Sequence, residues 1–147
     1  MTTLTLFPMV DSRTAPFAAA STATVADAMD RPDPQIRDAT TVDRAKSLVR
    51  ANDLPYLVLR DSAGRCAGLV TRDRLLSYPA RTWSGERTLV REAAGDAGPY
   101  AWRSLKLPLA AVAMEVRDLE AWPVVDDDGY LVGVLTLAGL GRHLSAG

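Results

Sequence analysis

The sequence predicts an α+β fold made of two copies of one small unit, and three observations carry that expectation. Sliding the 147-residue chain against itself by 65 positions registers its two halves without a gap. Val25 then meets Val90, Ala28 meets Ala93, Asp53 meets Asp118, Gly64 meets Gly129, Thr71 meets Thr136 and Leu75 meets Leu140. Each half also shows helical apolar spacing followed by two short apolar runs with a turn between them. The composition, 48% hydrophobic and 24% charged, is that of a globular chain and suits neither disorder nor a fibrous repeat. Two repeats describe a duplicated unit, since an array needs about three or more to be stable.

The elements follow in order. Residues 1–20 match neither copy and are read as an N-terminal arm; the first unit spans 21–79. In it, Thr40 and Thr41 precede Val42, Ala45, Leu48 and Val49, a helix with an N-cap at its start. Asp43, three residues after Thr40, makes a variant of the capping box. The helix should end near Asn52-Asp53, with Pro55 beyond it. Tyr56 to Arg60 reads as a strand, Asp61 to Gly64 as a turn, and Arg65 to Thr71 as a second strand. Leu75 and Leu76 fall in a short helix that Pro79 closes. Residues 80–87 carry the Ser and Gly of a linker, and the second unit spans 88–145. There Pro108 sits in the first turn of a helix running to about Val116, where a missing N–H costs nothing. Trp122 to Asp126 is a strand, Asp127-Asp128-Gly129 a hairpin turn, and Tyr130 to Thr136 the returning strand. That last run, YLVGVLT, is apolar almost throughout, which predicts cover on both faces. Gly139 and Gly141 weaken the final helix. A unit of about 60 residues buries only about 60% of its extended surface, so the two copies should pack as one body.

Composition also excludes functions. The 17 basic and 18 acidic residues leave a net charge of −1, a poor footprint for nucleic acid. The arginines between Arg60 and Arg91 are interleaved with Asp61, Asp73 and Glu86 and have no aromatic platform among them. One cysteine and one histidine rule out an internal disulfide, a cysteine-cluster metal site and a His-rich zinc site. Cys66 reads as a small packed hydrophobe, His143 as a helix-end residue, and Trp102 and Trp122 as core or interface residues. Asp126-Asp127-Asp128-Gly129 lacks the spacing and distant Glu of a calcium loop and reads as a hairpin turn. No spacing suggests a catalytic triad or a paired carboxylate, so no enzyme is expected. The N-terminus lacks a basic signal-peptide start. The longest apolar stretch is about twelve residues against the roughly 20 of a membrane span. The expected location is the cytoplasm, with no membrane contact.

The strings TVADAM at 24–29, GRCAGLVT at 64–71 and AWPVVDDDGYLVGVLT at 121–136, with the helix from Thr41, resemble a tandem cystathionine-beta-synthase (CBS) domain pair. The resemblance implies two β-α-β-β-α units packed through their sheets about a pseudo-twofold axis. It further implies no catalytic activity, an adenosine-containing ligand in the cleft between units, a homodimer, and regulation of a partner protein. In that family a Thr or Ser closing the last strand contacts phosphate, and an Asp three residues later contacts ribose. Thr71 and Thr136 keep the hydroxyl, whereas Arg74 and Gly139 stand at the Asp positions. Glu120 and Ala121 put no cation just ahead of the second unit's strand.

An adenine nucleotide or another anion is therefore the expected ligand, and no cofactor is assigned. Thr71, Arg74 and Arg72 would hold it in the first half, between apolar walls at Ile36, Tyr56 and Val58, with the Thr136 hydroxyl across the cleft. Arginine donates hydrogen bonds only, which suits phosphate or carboxylate better than ribose hydroxyls. Leu75, Leu76, Leu140 and Leu144 are the expected dimer contacts. Two functions follow: a regulatory module that senses a ligand, or a ligand-free scaffold for oligomerisation.

Overall fold

The computed structural model describes residues 22–79, 87–94 and 98–146. The expected arm, and the expected linker up to residue 86, lie outside the described residues. The first half supplies α1 (Val25–Ala28), β1 (Gln35–Arg37), α2 (Val42–Asn52), β2 (Tyr56–Arg60), β3 (Cys66–Thr71) and α3 (Arg72–Ser77). The second supplies α4 (Val90–Ala94), β4 (Ala101–Trp102), α5 (Leu107–Arg117), β5 (Ala121–Val125), β6 (Leu131–Thr136) and α6 (Leu137–Ala146). Two three-stranded sheets result, β1-β2-β3 and β4-β5-β6.

The repeat holds down to the register. Ile36 pairs with Leu59 as Ala101 pairs with Val124, and Tyr56 pairs with Thr71 as Ala121 pairs with Thr136. Each middle strand breaks register at the same place, Leu59/Arg60 and Val124/Val125. Each long helix ends on an aspartate in the left-handed region, Asp53 at φ 51° and Asp118 at φ 55°. Aspartate tolerates that conformation better than most residues, because its short side chain can bond locally. The hairpin turns are closed by aspartate too. Asp61 Oδ1 accepts from the Ala63 and Arg65 amides, and Asp126 Oδ1 from those of Asp128 and Tyr130. That geometry makes Asp126 to Gly129 a hairpin turn.

Capping differs in detail from the sequence expectation. Thr41, not Thr40, caps α2, its Oγ1 accepting from Arg44 N at 3.2 Å. Thr40 instead gives its carbonyl to Val90 N at 2.7 Å, a bond that pulls α4 onto the first half.

That bond is part of an exchange. The core beneath β2 and β3 contains Val42, Val49, Leu57, Leu59 and Leu75, and also Val90, Ala93 and Ala94 of α4. The core beneath β5 and β6 contains Leu107, Met114, Trp122 and Leu135, and also Val25 and Ala28 of α1. Each half thus lends its leading helix to the other. The α1 end is fixed by Val25 N and Ala26 N donating to Leu105 and Arg103 carbonyls at 2.9 and 3.0 Å. A third cluster, Val58, Ala121 and Val134, joins the sheets face to face. At the hairpin end, Cys66 N donates to Gly129 O at 3.0 Å and Arg65 Nε to Asp128 O at 2.8 Å.

Two further expectations are corrected by packing. Leu75 is fully buried and Leu140 is 7% exposed, so neither can serve as a dimer contact; Leu76 and Leu144 are only half-buried. Of the two tryptophans expected in the core or at an interface, Trp122 is core and Trp102 stands on the edge strand β4 with about half its surface in water. The final helix runs through both of its glycines. A Cβ on Gly139 would lie 2.8 Å from the Ala28 carbonyl, so close approach of α1 requires glycine there, and that packing offsets its poor helix propensity.

Candidate functional site

Strands β3 and β6 both end in a threonine that caps the helix after it. Thr71 Oγ1 accepts from Arg74 N at 3.3 Å, and Thr136 Oγ1 from Gly139 N at 3.0 Å. The two junctions face one cleft between the halves. Its central groove, about 630 Å³, is lined by Thr71, Thr136, Tyr56, Asp30 and Glu120 among others. A side pocket of about 510 Å³ opens on the Thr71 side, between Arg74 and Ala94 of the first half's wall and Arg117, Glu120 and Trp122 of the second. Thr71, Glu120 and Ala121 line both, so the two spaces adjoin.

The side pocket holds two guanidiniums. Arg74 donates Nε to the Ala93 carbonyl at 2.6 Å. Arg117 donates to the Pro99 and Gly98 carbonyls at 2.8 and 3.5 Å and lies over the Trp122 ring at 5.6 Å. Both heads are oriented by neutral partners, so their charge is not cancelled by those bonds, and an arginine has five N–H donors to distribute. Asp118 and Glu120 line the same pocket, so it presents cations and carboxylates together. In the central groove, Asp30 accepts from Thr136 Oγ1 at 3.4 Å and faces Arg142 at 3.5 Å. The Tyr56 phenol is pushed up by burial, then by the charges of Asp30 and Asp33, so it stays a neutral hydrogen-bonding group.

Of the seven residues the sequence singled out, Thr71, Arg74, Tyr56 and Thr136 meet at this cleft. Three do not. Val58 is fully buried between the sheets and has no surface to offer a ligand. Arg72 turns the other way, onto the Val49 carbonyl at 3.0 Å and Asp53 at 3.4 Å. Ile36 packs against the first core. Among the lining residues that were not anticipated, two are charged and reach the site from outside the strand–helix junctions, Asp30 and Arg117. Glu120 and Ala121 supply no cation ahead of β5; the second half's cation in the side pocket is Arg117, from the last turn of α5. Neither Asp30 nor Arg117 had a distinguishing signal: a basic residue in a helix's last turn is common for reasons of dipole alone, and Asp30 reaches Thr136 only through the exchange of α1.

Cys66 behaves as a packed residue. It is partly buried against the cluster joining the sheets, and burial raises its thiol above the ordinary value. The Tyr100 hydroxyl beside it is buried without a well-formed hydrogen bond among the described residues and is likewise raised by burial.

A sequence model described as "CBS domain" matches residues 23–81 and 104–145, more than half of the chain. The chain belongs to the CBS domain family. Its fold is that of CBS pairs of known structure. CBSX2, a CBS-pair protein of Arabidopsis thaliana, was solved in complex with AMP; it is 24% identical, with a TM-score of 0.71 over 84% of this chain and 97% of that one. The cytosolic domain of the Mg2+ channel MgtE, solved in complex with ATP, is 24% identical, with a TM-score of 0.63 over 78% of this chain and 46% of that one. Among curated proteins, a homoserine O-acetyltransferase of Methanocorpusculum labreanum is 29% identical over 113 residues, 77% of this chain but 22% of the relative. The CBS pair here thus spans about a fifth of that protein's length. Among the described residues, no helix is long and apolar enough to cross a membrane.

Proposed function

We propose that this CBS pair is a non-catalytic regulatory module that senses a small anionic ligand, an adenine nucleotide foremost, in the cleft between its halves and passes the change to a partner protein. The observation that carries this is the side pocket, which Arg74 of the first half and Arg117 of the second line together with Thr71. A ligand gripped by both would bind the halves to each other, which is how occupancy can become a change of shape. The fold likeness to pairs solved with AMP and with ATP supports the choice of ligand class. The free Cys66 fits a reducing, cytoplasmic setting.

The experiment is thermal melting with AMP, ADP, ATP, cyclic dinucleotides, S-adenosylmethionine and NAD. A true ligand at 100 times its Kd adds roughly 2.7 kcal/mol of stability, several degrees in Tm for a chain of this size. A midpoint unmoved by every compound contradicts sensing.

The second reading is a scaffold that works by oligomerising, and α5 favours it. Leu109, Val112 and Val116 are 60%, 58% and 79% exposed on that helix, whereas their repeat partners on α2 are Arg44, Ser47 and Ala51. This stripe, not the leucines of the short helices, is the contact we assign to a homodimer, helix α5 against α5 of a second copy. Light scattering at micromolar concentration should give twice the chain mass, and Val116→Lys should return the monomer. A monomeric mass for the unmodified chain contradicts the dimer.

A further inference from the structure

We propose that the rim of the second sheet around Trp102 is a protein-docking surface whose anchor is an arginine side chain of the partner, seated on the Trp102 indole beside the Asp126 and Asp127 carboxylates. The inference rests on the regulatory reading above for there being a partner protein, and adds where that protein is met. Ala101 belongs to the second core, so alternation along β4 turns Trp102 to the other face of the sheet, where it is 51% exposed. β4 is an edge strand, and Val125 is the register partner of Trp102. A hollow of about 180 Å³ opens there, lined by Trp102, Val125, Asp126, Asp127 and Arg103 among others. Small-molecule sites run to about 300–1,000 Å³, so this hollow suits a single side chain and not a metabolite. Asp126 is held in place by the Asp128 and Tyr130 amides, which both donate to its Oδ1 at 2.9 Å, and Asp127 is exposed in the same turn. Two carboxylates against the one guanidinium of Arg103 leave the rim negative. Arginine answers both features at once, because its guanidinium is flat enough to stack on indole and forks onto a carboxylate. Tryptophan and arginine are also the residues that most often dominate the energy of an interface. The chain already makes this kind of contact twice, Arg117 over Trp122 at 5.6 Å and Arg65 over Tyr130 at 5.2 Å. The surface belongs to the second half alone. Sixty-five positions earlier, Trp102, Val125 and Asp127 are replaced by Arg37, Arg60 and Ser62, and Arg37 and Arg60 are themselves register partners. The matching rim of the first half is therefore basic and repels the arginine that the second half takes.

The test is a nitrogen–proton NMR titration of the full chain with the capped tripeptide leucyl-arginyl-leucine, beside the same peptide carrying citrulline, which keeps the length and planarity of arginine without its charge. The arginine peptide should shift the Trp102 indole N–H and the Val125 and Asp127 amides together, approaching saturation on the order of tens of millimolar, as a single exposed contact requires. The citrulline peptide should shift them far less at equal concentration. Trp102→Leu, read at Val125, should weaken the arginine peptide about threefold, and Asp127→Asn, read at the Trp102 indole, should weaken it about twofold. Both side chains are exposed, and unmoved amide signals in the two cores confirm that each variant is folded. No nucleotide is present, so the outcome is independent of the cleft, and a failure of ligand sensing in the melting panel is a separate result. Equal shifts with citrulline, shifts centred away from this rim, or an affinity untouched by both substitutions overturns the inference.

Discussion

Three residues after each capping threonine the two halves make opposite choices. Gly139 lets α6 press onto the Ala28 carbonyl, while Arg74 spans the matching gap and hydrogen-bonds the Ala93 carbonyl. An acid at position 139 would meet the Ala28 carbonyl oxygen, so that half has no room for the family's ribose Asp. Gly139→Asp should therefore cost stability, about 1–3 kcal/mol from overpacking, and gain no nucleoside affinity; urea midpoints and a titration with adenosine check both halves of that statement. Arg74→Ala should weaken an anionic ligand by roughly 1.5–3 kcal/mol, the worth of a charge-assisted hydrogen bond, read as Kd by calorimetry. An unchanged Kd removes Arg74 from the site. Cys66 gives a pH prediction. Its raised thiol means that the folded state holds its proton to higher pH than the unfolded chain does. Stability is then independent of this group below the unfolded value and falls as pH rises past about 9. Urea midpoints at pH 8 and pH 10 should drop more for the unmodified chain than for Cys66→Ala; equal drops refute the assignment.

At the scale of elements, the αL residue that ends each long helix is a place where sequence and conformation disagree mildly. Asp53→Gly should raise stability by about 0.5–1 kcal/mol by relieving the left-handed aspartate. The ion pair it loses, to Arg72, involves an aspartate side chain 95% exposed and contributes little. The paired strands β2–β3 and β5–β6 and helices α2 and α5 were legible almost to the residue, because the repeat states each signal twice and the turns carry their own glycine and aspartate marks. The short leading helices were not. Four or five residues, as in α1 and α4, are too few for a helical period to say which core they enter, and each enters the core of the other half. The same gap explains the site. Thr71, Arg74 and Thr136 lie at strand–helix junctions that the sequence marks, whereas Asp30 and Arg117 arrive from the opposite half. Val58 was misjudged for a related reason: a strand pattern shows that two faces exist but not which of them meets the other sheet.

For the whole molecule, the exchange makes the halves interdependent. The first core lacks Val90, Ala93 and Ala94 when cut from the second half, and a fragment of residues 1–79 should be unfolded by circular dichroism. The intact chain should melt in one transition, with tryptophan fluorescence and far-ultraviolet dichroism coinciding. The central claim is that occupancy of the cleft on the Thr71 side is what the module reports. The most direct measurement is an amide nitrogen–proton NMR titration of the assigned chain with AMP. The account predicts saturable shifts at Thr71, Arg74, Ala94, Arg117 and Glu120, saturating at one AMP per chain, with Gly133 and Gly139 little moved. Shifts centred on Gly133 and Gly139, or none at any AMP concentration up to millimolar, would contradict it.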